Sequence, residues 1–180
     1  SVSEFGTELR FLLMRKCTAL LLCILLIGTA GCGSSKSAEP PKTVNFTCDF
    51  TATYRELEFA GSLERASAGM LKVSLTAPDA LNGMTLTWDG EMKRVSLGML
   101  HFAVDSALPP SGFGQLLLDT LDAAFCNPGE STLTAAGAQV SGRVGQYEYQ
   151  LTCEPETGTL LSLQIPDADL SIHFSNLRAI

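Results

Sequence analysis

The sequence predicts a mainly β, α+β fold: a strongly curved antiparallel sheet, or half-barrel, of roughly ten strands with one or few covering helices. Three observations predict it. From Val44 onward, apolar residues recur at every second position in run after run, the period of a half-buried strand. Turn signals punctuate these runs at the spacing of an antiparallel meander. Only the stretch around Leu116 to Phe125 has helical spacing. One amphipathic helix cannot cover so many strands, so the sheet must curl to bury its apolar face.

The chain ahead of this region has a different character. Met14-Arg15-Lys16 places two cations after a start methionine, and Ala19 to Ile27 is an unbroken apolar run. Gly28-Thr29-Ala30-Gly31 is all small and ends at Cys32. A charged start, a short apolar segment and a small-residue cleavage site make a secretory signal. The run is shorter than the ~20 residues that span a bilayer. The cysteine after Ala30-Gly31 resembles the lipobox of bacterial lipoproteins, with Thr29 in place of the usual Leu. The resemblance implies that Cys32 is diacylglyceryl-modified, carries palmitate-like chains and becomes the mature N-terminus. Residues 1–13 carry Glu4 and Glu8 and no methionine, and are read as a leader or cloning residue. Residues 14–31 are then the signal peptide and 32–43 a flexible tether rich in Ser and Pro. Residues 44–180 form the folded domain, whose size suits one core.

Within that domain, Val44, Phe46, Cys48 and Phe50 begin the alternation. Leu57, Phe59, Gly61 and Leu63 continue it, then Leu71, Val73 and Leu75. Pro78-Asp79 and Asn82-Gly83 are turns. Met84, Leu86 and Trp88 follow, then the hairpin signal Asp89-Gly90. Met92 to Leu97 and Met99 to Val104 read as two short strands around Gly98. Leu108-Pro109-Pro110-Ser111-Gly112 breaks the pattern, and Ser111 is placed to cap a helix. That helix puts Leu117, Leu121, Ala124 and Phe125 on one stripe and ends at Asn127-Pro128-Gly129. Strands resume at Ser131 to Ala135, Ala138 to Val144 and Tyr147 to Cys153. Leu161, Leu163 and Ile165 return after a Glu154 to Gly158 turn, and Leu170, Ile172 and Phe174 close the sheet.

The Glu-Thr-Gly turn inside Cys153 to Ile165 and the closing run Leu170-Ser171-Ile172-His173-Phe174-Ser175-Asn176 resemble the LolA/LolB-like lipoprotein carriers. The lipobox makes the likeness closer to LolB, the LppX/LprG-like and the GerS-like lipoproteins. The resemblance covers about Val44 to Asn176. It implies a half-barrel whose concave face binds acyl chains or lipidated partners beneath a helical lid.

Charge and motifs exclude other classes. The chain has a net charge of −7 and no block of Lys or Arg, so it offers no face for nucleic acid. No nucleophile elbow, zinc motif or phosphate loop occurs. His101 and His173 stand alone in strands. Asp119 and Asp122 share a helix face and are read as solvated. No cofactor, metal or catalytic residue is expected. With Cys32 set aside, Cys48, Cys126 and Cys153 remain in the domain; they are either small buried hydrophobes or one disulfide plus a thiol, with Cys48–Cys153 as the candidate pair. Met70, Met84, Met92 and Met99 gather near Trp88 and Phe102, and methionine adapts to irregular apolar ligands.

The function expected is a non-catalytic, extracytoplasmic lipoprotein, anchored to the bacterial cell membrane through Cys32. It binds a lipid or lipoprotein acyl chains on Phe46, Phe50, Phe59, Met84, Trp88, Phe102, Leu117 and Leu121. The alternative is a scaffold with a filled core, holding a protein partner such as a cell-wall or spore-cortex enzyme.

Overall fold

The period-two alternation becomes eleven strands of one antiparallel sheet in a computed structural model that describes residues 44–105 and 112–180. The leader, signal peptide, tether, Cys32 and Ser111 lie outside the described residues. The elements in chain order are β1 (Phe46–Tyr54), β2 (Leu57–Ser67), β3 (Met70–Ala77), β4 (Thr85–Asp89), β5 (Met92–Leu97), β6 (Leu100–Asp105), α1 (Phe113–Cys126), β7 (Glu130–Thr134), β8 (Gly137–Val144), β9 (Tyr147–Cys153), β10 (Leu160–Ile165) and β11 (Leu170–Ala179). Short 3-10 turns at Asp79–Leu81 and Pro166–Ala168 join β3 to β4 and β10 to β11.

Strand order explains where the helix lies. Across the sheet it runs β6-β5-β4-β3-β2-β1-β11-β10-β9-β8-β7. Two meanders, β1 to β6 and β7 to β11, are joined in the middle by the first and last strands. Phe50 faces Phe174 and Ala52 faces Ile172 across that seam. The chain leaves the first meander at one edge and enters the second at the opposite edge. The connection must therefore cross the sheet, and α1 is that crossing. Its backbone packs on β3 and on β8. This is the half-barrel with a covering helix.

Residues opposite one another in a ladder share a face. Phe46, Cys48, Phe50 and Ala52 of β1 therefore point into the curve with Leu63 of β2, Leu71, Val73 and Leu75 of β3, and Trp88 of β4. Val140, Leu151, Leu163 and Ile172 make the matching row in the second meander. These residues are buried and form one core with Leu117, Leu121 and Ala124 of α1. The opposite face is polar: Thr51, Thr53, Ser171, His173, Gln164 and Gln150 occupy the outward positions of the central strands.

Two local expectations are corrected. In β10 the buried residues are Leu160, Leu163 and Ile165, and Leu161 is exposed. A register shift between Leu160 and Ser162 adds a residue against β9, and an extra residue reverses the facing of what precedes it. The N-cap of α1 is Gly112, at φ 101°, with no side-chain capping bond.

Candidate functional site

The concave face has a covered part and an open part, and α1 divides them. Phe113, at the start of α1, lies on a platform of aromatic rings. It stacks on Phe59 at 5.4 Å and on Phe50 at 6.0 Å, and tilts against Tyr54 at 6.2 Å. Gly114 lets the helix approach β4: a Cβ there would lie 2.3 Å from the Trp88 ring. The Trp88 Nε1–H donates to Gln115 Oε1 at 2.8 Å, and Gln115 Nε2 donates to Asp119 Oδ1 at 2.6 Å. One helical turn thus satisfies the indole, a polar group that needs a partner when buried. Burial raises the Asp119 carboxyl above its ordinary value, against the opposing influence of Gln115 and Lys93.

The far end of α1 is held by a charge pair. Arg65 of β2 is fully buried and donates through Nη2 to Asp122 Oδ1 at 2.7 Å. Its Nη1 donates to the Val44 carbonyl at 2.6 Å, where the domain begins. The guanidinium also sits 4.8 Å from the centre of the Phe125 ring. Asp122 Oδ2 accepts from the Gly69 N–H at 2.7 Å in the β2–β3 turn. Asp122 is therefore the partner of a buried cation, which removing would leave uncompensated. The reading of Asp119 and Asp122 as simply solvated is corrected: both are half-buried and bonded. Arg65 is a residue that sequence reasoning missed, although it occupies the apolar parity of its strand after Phe59, Gly61 and Leu63. A charged residue on that parity is the signal that finds it.

Beyond Trp88 the helix no longer covers the sheet. Val73, Leu86, Val95 and Phe102 are successive partners across β3, β4, β5 and β6. Leu71, Trp88, Lys93 and Val104 form the next row, and Leu97 faces Leu100 at the hairpin end. Each row begins buried in β3 and ends exposed in β6, where Leu100 is 59 %, Phe102 61 % and Val104 45 % exposed. Lys93 is the one charged residue on the concave side of β4, β5 and β6. The result is an apolar ramp that runs from the core out to the sheet edge.

The eight residues expected to line a ligand divide accordingly. Phe46, Phe50, Trp88, Leu117 and Leu121 are buried together in the core, and Phe59 and Met84 pack partly buried against it. Phe102 stands apart on the open ramp. Val95, Leu97, Leu100 and Val104 share its face and escape sequence reasoning, because their strands are short and their facing depends on register. Of the four clustered methionines, only Met84 lies on the concave side. Met70 and Met92 fall on the outward parity, and Met99 projects from the β5–β6 turn.

The remaining candidates carry no assembled chemistry. His101 and His173 are exposed on the outward face. Among the described residues no group of three or more His, Cys, Asp or Glu is placed to hold a metal ion. A hollow of about 630 Å3 at the β1–β2 turn is lined by polar residues such as Thr53, Glu56, Gln164 and Asp169, on the outward side. The Cys48–Cys153 disulfide is corrected: Cys48, Cys126 and Cys153 are free. Strands β11 and β10 separate the first and last of these, about 14 Å along the sheet and beyond disulfide reach. Burial, with Asp49 adding to it, pushes the Cys48 thiol up to about 12, and burial pushes Cys153 to about 11. Both behave as small hydrophobes, and Cys126 is exposed.

No protein-family model matches the chain, and a search of curated proteins finds no match. Solved structures do resemble it. An uncharacterized conserved protein from Thermus thermophilus aligns with a TM-score of 0.48 and 11 % identity, over 77 % of this chain and 80 % of that one. A LolA superfamily protein from Nitrosomonas europaea aligns with a TM-score of 0.42 and 10 % identity, over 81 % of this chain and 90 % of that one. A DUF1329 family protein from Desulfovibrio piger aligns with a TM-score of 0.43 and 11 % identity, over 77 % of this chain and 86 % of that one.

Proposed function

We propose that this chain is a non-catalytic, extracytoplasmic lipoprotein that holds an acyl chain on the open part of its concave face. The observation that carries the reading is the ramp. Large apolar side chains at the end of a sheet, contiguous with the core and left uncovered by the helix, are unfavourable in water unless something covers them. An acyl chain fits this surface, because it needs a long apolar track and no hydrogen-bond partner. The track reaches Trp88, so the ligand continues the core rather than entering it. The anchor belongs to the same reading: the Met14 to Cys32 segment supports acylation at Cys32, and two chains hold where one is marginal.

The test is binding of a fluorescent fatty acid to residues 36–180, a compact unit whose core is built from Phe46 onward. Phe102→Asp and Val104→Asp are expected to weaken binding at least tenfold. Leu133→Asp, at an exposed apolar position on the opposite edge strand, is expected to bind as the parent does. Equal binding by all three variants, or none by the parent, contradicts the reading. For the anchor, Cys32→Ala in the full chain is expected to move the protein to the soluble fraction; retention at the membrane contradicts lipid attachment there.

One observation favours the scaffold alternative. Among the described residues, Leu117, Leu121 and Phe113 are buried in the middle of the concave face, where the ligand is expected between sheet and helix. A protein partner seated on the ramp would be retained by pull-down from membranes and competed by fatty acid only if the two share the ramp.

A further inference from the structure

We infer that β6 is a self-association edge: two copies of this chain pair β6 to β6, antiparallel about a two-fold axis at Phe102, extending one concave apolar face into the other. Among the described residues, β6 pairs with β5 alone and stands at the end of the sheet. The β5–β6 loop is Gly98-Met99, two residues, so Leu97 and Leu100 close the hairpin. The closing pair of such a hairpin exchanges both backbone bonds, and bonded and non-bonded pairs then alternate. The backbone groups of Phe102 and Val104 are therefore spent on β5. Those of His101 and Ala103 point to the open edge.

An edge of this kind is a template for another strand unless it is blunted. The usual devices are a Lys, a Pro, a bulge or an inward charge. The single charged residue of β6 is Asp105 at its end; from Leu100 to Val104 there is no Lys, Arg, Asp, Glu or Pro, and the β5–β6 register runs without a shift. The opposite edge differs in its apolar content: β7 holds a single Leu133 among Ser and Thr, where β6 holds Leu100, Phe102 and Val104.

The occupant follows from symmetry. Pairing about Phe102 sets Leu100 against Val104, Phe102 against Phe102 and His101 against Ala103. Every concave apolar residue then meets another, and no like charges are opposed. The pairs of His101 with Ala103 exchange the outward backbone bonds, and Phe102 with Phe102 becomes a close non-bonded pair, the geometry in which side chains interact most. A second copy thus satisfies both the exposed backbone and the exposed rings. The acyl-chain reading does not depend on it, since edge pairing leaves the concave side open as one wider trough.

The experiment uses residues 36–180. Sedimentation velocity is expected to show a dimer that grows with concentration. Ala103→Pro removes an outward N–H, which an edge strand tolerates; it is expected to weaken dimerisation at least tenfold with thermal stability and fatty-acid binding kept. In a Cys126→Ser background, Phe102→Cys is expected to cross-link into disulfide dimers without reductant, because residues facing across the axis lie near disulfide reach. Ser96→Cys, on the neighbouring strand, is expected to form no disulfide cross-link under the same conditions. A parent that is monomeric at every concentration, an Ala103→Pro protein that still dimerises, or a Phe102→Cys protein that does not cross-link overturns the inference. Fatty-acid binding by Ala103→Pro reads the proposed function separately, so the two failures are distinguishable.

Discussion

Strands β3 and β6 carry the same kind of sequence and meet opposite fates. Leu71, Val73 and Leu75 of β3 are buried under α1, while Leu100, Phe102 and Val104 of β6 face the same side of the same sheet and are exposed. Composition does not separate them. The helix does: α1 covers the middle of the sheet and begins beside Trp88. Apolar alternation therefore states which side of a strand turns inward. It does not state whether anything arrives to cover that side.

The largest expected effect lies at the charge pair that holds α1 on the sheet. Asp122→Ala leaves the Arg65 guanidinium buried without its counter-ion and frees the Gly69 N–H. We expect a loss of about 3–5 kcal/mol in urea unfolding, the usual cost of unpairing a buried ion. Replacing both partners with apolar residues of similar volume, Arg65→Met with Asp122→Leu, is expected to recover most of it. A loss below about 1 kcal/mol for Asp122→Ala would mean that the pair behaves as a surface bridge.

A paired truncation sharpens the contrast. Leu117→Ala, in the covered part, is expected to cost about 2–5 kcal/mol. Phe102→Ala removes a larger side chain from the open part and, at dilution where the domain is monomeric, is expected to change stability by no more than about 0.5 kcal/mol. Equal costs in chemical denaturation would show that β6 is covered in the isolated domain.

The smallest effect lies at the boundary. Burial raises the Asp119 carboxyl, so folding is favoured by its protonated form. That contribution is complete below the ordinary carboxylate value of 3.8 and is lost as pH rises through the raised one. Asp119→Asn keeps an oxygen for Gln115 and removes the buried charge. Its melting temperature is expected to exceed the parent's at pH 7, with the gap closing as pH falls below the ordinary carboxylate range. A gap that widens toward acid pH contradicts the assignment.

Much of this fold is legible in the residues, and the exceptions have physical causes. Tyr147 to Cys153 reads as a strand and is one, because its alternation is strict and its ends carry turns. Leu161 reads as inward and is exposed, because a one-residue bulge is invisible to a period count. The central seam of β1 with β11 carries no local mark, since pairing between chain ends depends on the whole sheet. Without that seam the crossing path of α1 does not follow, and neither does the division of the concave face. Phe102 is within reach as an apolar residue on a strand, but its separation from Phe46, Phe50 and Leu121 is not. Arg65 hides in the pattern of its neighbours: its parity is apolar and its charge is not.

The proposed acyl-chain site is the open ramp beside Trp88. Trp88 is the only tryptophan and borders the ramp through its ladder partner Lys93, so its fluorescence reports contact directly. Titration of residues 36–180 with a dibrominated fatty acid is the measurement, since bromine quenches indole only at close approach. Saturable quenching of Trp88 is expected, with the affinity lowered at least tenfold by Phe102→Asp and unchanged by Leu133→Asp. Trp88 emission that is unchanged at saturating fatty acid, or quenched with equal affinity in the Phe102→Asp protein, would contradict this site.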